Sequence, residues 1–164
     1  MPYIRQNRRI ELRRLVDEKI DQNINCNPQN IHLGGVIASI LTMNNFCENY
    51  FSFSDSENVR EIVHILRNRF QNEGESMIGD LNFCVCRFLV GITNIHKEPS
   101  YEKINTINRI LNWSIYKVNN EWKGRGLIWE RAISIIDDIK LELYRRYAGP
   151  YEDKKMIDNG DIMD

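Results

Sequence analysis

Four clusters in the chain pair arginine with aromatic side chains, the combination that recognises a phosphate-bearing ring. Tyr144 and Tyr147 flank Arg145 and Arg146; Arg87 lies one turn beyond Phe83 and near Asn82; Arg109 lies one turn before Trp113, with Asn105 and Asn112 close by. The fourth, Trp122-Lys123-Gly124-Arg125-Gly126, reads as a mobile, basic, aromatic loop. Guanidinium forks match phosphate oxygens, aromatic planes stack on bases, and amides satisfy ring or ribose edges. The candidate ligand residues are therefore Arg145, Arg146, Arg87 and Arg109 for phosphate and Tyr144, Tyr147, Phe83 and Trp113 for stacking. Asn82 and Asp80 are the candidates for reading polar edges. Arginine and tyrosine also cover helix surfaces with no ligand in view.

Catalytic chemistry is less well represented. No Gly-rich phosphate loop, G-x-S-x-G elbow or H-E-x-x-H is present. Asp138 and Glu142 lie at i and i+4, so they share a helix side, and with Glu57 and Glu61 they imitate the magnesium-binding acids of an all-α nucleotide pyrophosphatase. The adjacent glutamates of that pattern are missing. Glu61 and His64 form a single Glu-x-x-His spacing, of which a di-iron bundle needs two copies. Cys26, Cys47, Cys84 and Cys86 read as reduced thiols, and Cys84 and Cys86 would sit about 200° apart on a helix, too divergent to chelate one metal. The expectation is no catalytic residue, no metal and no cofactor.

The elements that must carry these residues are helical nearly throughout. Apolar stripes mark helices over 5–24 (Leu12, Leu15, Val16, Ile20, Ile24), within the run Val36 to Met43, and over 80–95 (Leu81, Cys84, Val85, Phe88, Leu89, Ile92). Ser54 and Glu57 are spaced as a capping box opening a helix that Gly74 stops. Pro99 and Ser100 launch a further one carrying Ile104, Ile107, Ile110, Leu111, Ile115 and Val118. After the interruption at Gly124 and Gly126, a last helix runs over 127–147 with Ile133, Ile136, Ile139 and Leu143 inward, ended by Gly149-Pro150. No strand alternation exceeds about five residues. The fold expected is all-α, a compact bundle of five to six helices in a single domain over 1–150, followed by an acidic tail over 151–164. Helices with more apolar surface than one stripe needs suit a homo-oligomer.

Composition bounds the functions. The 164 residues carry 22 Lys and Arg against 23 Asp and Glu, a net charge of −1 that provides no field for nonspecific nucleic acid. Charge is nevertheless polarised. Five arginines lie within Met1 to Arg14 and five acids within Tyr151 to Asp164, which could be an anion-binding arm and an interaction tail, or two ends that neutralise one another. A hydrophobic fraction of 42% supports a packed core. No apolar run of 18 residues and no secretory signal is seen, so a cytoplasmic protein without membrane contact is expected. The chain is rich in Ile (23) and Asn (19), an AT-rich-genome bias that the helix stripes nevertheless put to use.

Three stretches together resemble a family of small proteins common in phage genomes and bacterial prophage regions. They are Met1-Pro2-Tyr3-Ile4; Gly79-Asp80-Leu81-Asn82-Phe83, a G-[ED]-L-N helix start; and Leu143 to Lys155 with Asn159-Gly160-Asp161, a Y-R-R-x-x-x-P-Y-E-D-K-K…N-G-D tail. The chain departs from that pattern by extra material over 32–74 and 116–127. The resemblance implies a phage origin and a small helical fold, and no particular activity. Small non-catalytic phage proteins often counter bacterial immunity by sequestering nucleotide signals. The leading expectation is therefore an anti-defence protein that binds, without cleaving, a cyclic nucleotide or an ADP-ribose derivative inside the infected host's cytoplasm. A helical protein–protein interaction module and a metal-dependent nucleotide hydrolase remain the alternatives.

Overall fold

The computed structural model describes residues 6–21, 34–35, 37–38, 41 and 77–161. These residues are all-α: helices α1 (Gln6–Asp21), α2 (Met77–Thr93), α3 (Tyr101–Trp122), α4 (Leu127–Leu143) and α5 (Gly149–Asn159), with a π-helical turn over Tyr144–Ala148 between the last two. The stop glycine Gly74, the capping box at Ser54 and Glu57 with its helix, and the cysteines Cys26 and Cys47 lie outside the described residues, as do Glu61 and His64. Among the described residues no helix is long and apolar enough to cross a membrane.

Helices α1 to α4 bury most of the described part of the stripe each announces, with Ile92, Ile104, Ile115 and Ile133 only partly buried, whereas α5 buries no residue; Ile24 lies outside the described residues. Leu12 and Val16 of α1 meet Leu81, Cys84, Val85, Phe88 and Leu89 of α2 in one continuous core, and Ile107, Ile110, Leu111 and Val118 of α3 join Ile136, Ile139 and Leu143 of α4. Ile135 is also fully buried, so α4 is apolar over a wider arc than the expected stripe, because both α2 and α3 pack on it. From the run after the first loop, Gly34, Gly35, Ile37, Ala38 and Leu41 are helical and buried. Gly34 lies so close to α3 that a Cβ there would stand 2.6 Å from the Trp113 ring and 2.9 Å from the Ile110 carbonyl, so only glycine fits.

Ser100 starts α3 as its spacing predicts: its hydroxyl accepts from the Lys103 N–H at 3.3 Å, satisfying one of the helix's open donors. The turn between α3 and α4 needs its glycines, since Gly124 and Gly126 adopt φ +75° and +76°.

The end of the last helix differs from expectation. Gly149-Pro150 does not end it; the chain keeps winding to Asn159. Three local facts explain the difference. The turn over Tyr144–Ala148 widens, so that the Gly149 N–H reaches the Tyr144 carbonyl. Gly149 itself is helical at φ −55° and ψ −56°. Pro150 then falls in the first turn of α5, where its missing N–H and fixed φ are tolerated. The segment read as a tail is thus helical as far as Asn159, with Met156 and Ile157 exposed on it.

Candidate functional site

Three walls enclose a cleft of about 310 Å³. The first is one side of α1, where Gln6, Arg9, Ile10 and Arg13 recur at helical spacing. The second is the matching side of α2: Gly79, Asn82, Phe83, Cys86, Arg87 and Val90. The third is the end of α4 and the π turn, contributing Glu142, Leu143, Arg146 and Tyr147. A π turn displaces the helix surface by one residue, and such turns recur at functional sites. Here it carries Arg146 and Tyr147 into the cleft wall.

Four guanidiniums, Arg9, Arg13, Arg87 and Arg146, therefore line one small cavity. Two carboxylates hold three of them. Asp17 accepts a bidentate pair from Arg87 at 2.7 and 2.8 Å and a third contact from Arg13 at 3.3 Å. Burial pushes the Asp17 carboxyl up, but the bonds and charges of Arg87 and then Arg13 outweigh that and hold it below its ordinary value. Glu142 accepts from Arg145 at 2.9 and 3.4 Å and from the Arg146 Nε. Its carboxyl is likewise lowered, the two arginines overcoming the effect of burial. Among the described residues the balance of charges in the cleft is positive.

Two buried donors in this cleft have no hydrogen-bond partner among the described residues: the Arg9 Nε and the Asn82 Nδ2. Asn82 is 1% exposed, and among the described residues its Oδ1 has a long contact from the Cys86 thiol at 3.5 Å. A buried amide donor without an acceptor costs about 1–3 kcal/mol. Native proteins rarely leave one unless something else binds there. Burial, then the charge of Glu142, pushes the Cys86 thiol up to about 12, with Arg146 opposing, which favours the thiol over the thiolate.

Of the residues expected to bind ligand, the fold brings together Asn82, Phe83, Arg87, Arg146 and Tyr147. Tyr144 points elsewhere, its hydroxyl donating to Glu152 at 2.8 Å, and Arg145 is 67% exposed beside Glu142. Arg109 is exposed on α3. Trp113 packs under Gly34 and stacks on Tyr116 at 4.9 Å between centroids. Asp80 is buried in the first turn of α2. None of these five lines the cleft. Asp138 lies in a shallow depression with Glu130 and Asp137, apart from Glu142, so this i, i+4 pair does not converge on one cavity. Among the described residues no group of three His, Cys, Asp or Glu could hold a metal ion.

A family model described as a domain of unknown function, DUF6899, matches residues 108–162. No curated protein and no solved structure matches the chain significantly. The matched stretch spans most of α3, all of α4, the π turn and α5, so it contains Glu142, Leu143, Arg146 and Tyr147. The α1 and α2 walls lie outside it. Arg9, Arg13, Cys86 and Glu142 were not among the expected ligand residues; Glu142 figured only as a candidate acid of the hydrolase alternative, and Arg9 and Arg13 only in the basic opening arm. The signal available for the arginines was that Arg9 and Arg13 lie at i and i+4, each one turn from Gln6 or Ile10, in the basic opening segment.

Proposed function

We propose that this chain is a non-catalytic binding protein for a small phosphate-bearing ligand of nucleotide type, which it sequesters between α1, α2 and the π turn. The observation that carries this reading is the convergence on one cleft of four arginines, Phe83, Tyr147 and the Asn82 amide, whose Nδ2 has no partner among the described residues. Four guanidiniums against the carboxylates of Asp17 and Glu142 leave two positive charges in surplus, which suits a ligand carrying two phosphoryl charges. A volume of about 310 Å³ is at the small end for ligand pockets and takes one nucleotide unit. Cyclic dinucleotides and ADP-ribose derivatives both meet the charge condition. The role in countering host immunity, and the phage origin behind it, rest on the terminal and central motifs rather than on this geometry.

Self-association belongs to the same proposal. Ile10 at the mouth of the cleft is 64% exposed, and Leu127, Leu141 and Ile157 are 72%, 68% and 84% exposed. Such side chains are also what a helical interaction module would present to a protein partner. A thermal-shift screen against cyclic dinucleotides, cyclic trinucleotides and ADP-ribose derivatives separates the readings. A ligand at 100 times its Kd stabilises by about 2.7 kcal/mol, a rise of roughly 5–10 °C in a chain of this size. The same ligand recovered intact after denaturation supports sequestration. Altered ligand moves the chain to the hydrolases, and a flat screen moves it to the interaction modules.

A further inference from the structure

Resting on the reading of the cleft as a phosphate site, one residue in it has the wrong charge. Glu142 is the one acidic side chain among the described residues that line the cavity, and it is 11% exposed, while Arg145 and Arg146 beside it are 67% and 53% exposed. Both arginines meet on the same oxygen, Oε1. They differ in position: Arg146 lines the cleft and Arg145 does not.

We propose that Glu142 is a place-holding anion, occupying Arg146 until a ligand phosphoryl group takes that guanidinium over. Arg145 makes the exchange feasible. It holds Glu142 through Nη2 at 2.9 Å and Nε at 3.4 Å, so the carboxylate stays neutralised when Arg146 turns to the ligand. The exchange also selects. A carboxylate ligand offers Arg146 no more than Glu142 already does, whereas a ligand with two phosphates, such as a diphosphate linkage, brings more charge and more acceptor oxygens to the cleft. Glu142 thereby sets a threshold that small carboxylates do not pass, and it acts on affinity rather than on stability.

The test is calorimetric titration of the intact chain with inorganic pyrophosphate and, separately, malonate, for the wild type, Glu142→Gln, Glu142→Ser, Arg146→Gln and Glu142→Gln/Arg146→Gln. Removing the competing charge is expected to tighten pyrophosphate roughly three- to tenfold in both Glu142 variants. It should tighten malonate by more, narrowing the preference between them, and the gain should vanish in the Arg146→Gln background. Binding that appears in the Glu142 variants alone supports the same exchange. Pyrophosphate binding to the wild type that is unchanged or weaker in both Glu142 variants overturns the place-holder and leaves the cleft as a phosphate site. Pyrophosphate binding to none of the five proteins overturns both.

Discussion

Replacing Asn82 with leucine sets stability against binding in a way that only a ligand-facing amide would. The side chain is 1% exposed, and among the described residues its Nδ2 has no partner and its Oδ1 has a contact from a thiol at 3.5 Å. Leucine has nearly the same volume and no donor to strand. Removing an unsatisfied donor returns about 1–3 kcal/mol, and imperfect packing of the new methyls takes back under about 1.5 kcal/mol. The net expectation for Asn82→Leu is a gain of about 1 kcal/mol, or a Tm higher by about 2–4 °C in a chain of this length. Urea denaturation, with the slope unchanged, gives an independent value. The ligand that shifts the wild type should then shift Asn82→Leu by much less, since the amide is the group that reads its polar edge. A variant less stable than wild type by 1 kcal/mol or more would refute the reasoning, because the amide would then have a structural partner. A stabilised variant that binds as well as wild type would show that the amide does not touch the ligand.

Two further expectations test the frame around the cleft. Asp17→Asn breaks the clamp from α1 to Arg87 of α2, whose side chains are 29% and 26% exposed; the loss should lie between surface and buried pairs, about 1–2 kcal/mol by urea denaturation. Because the Asp17 carboxyl is held below its ordinary value of 3.8, its contribution is complete above that pH and disappears as pH falls through the lower folded value, so Asp17→Asn should show a flatter loss of stability below about pH 4 than wild type. Gly34→Ala would place a Cβ 2.7 Å from the Trp113 Cβ and 2.9 Å from a backbone carbonyl, and should lower the urea midpoint by the equivalent of about 1–3 kcal/mol; an unchanged midpoint would show that this close approach does not exist.

The walls of the cleft were legible to different degrees. Asn82, Phe83 and Arg87 were visible because α2 is strongly patterned, and a residue's side of a well-patterned helix follows from counting. Arg9 and Arg13 were visible only as charge, since nothing local says that the polar side of α1 next to its Leu12–Val16 stripe will face α2 rather than solvent. Arg109 and Trp113 made an equally persuasive local cluster and lie elsewhere, one exposed and the other under Gly34. Spacing within one helix cannot rank such clusters, because it contains no information about which helices become neighbours.

By itself the amino-acid sequence determined the all-α character of the described residues, the stripes that make their core, the Ser100 cap and the glycine turn before α4. Each of these depends on interactions within a few residues, or on a hydrophobic period that any packing partner would satisfy. Only the tertiary structure decided that five of the ten candidate ligand residues meet, that Arg9 and Arg13 join them, and that Glu142, a local partner of Arg145 and Arg146, lines the same cavity as the arginines of α1 and α2. It also decided that the helix runs on through Gly149-Pro150, because the widened turn that accommodates the proline is one of several backbone solutions the dipeptide permits. Charges from helices 70 residues apart in sequence, such as Asp17 and Arg87, come within 2.7 Å only when the apolar stripes have docked, and the cleft's chemistry is a consequence of that docking.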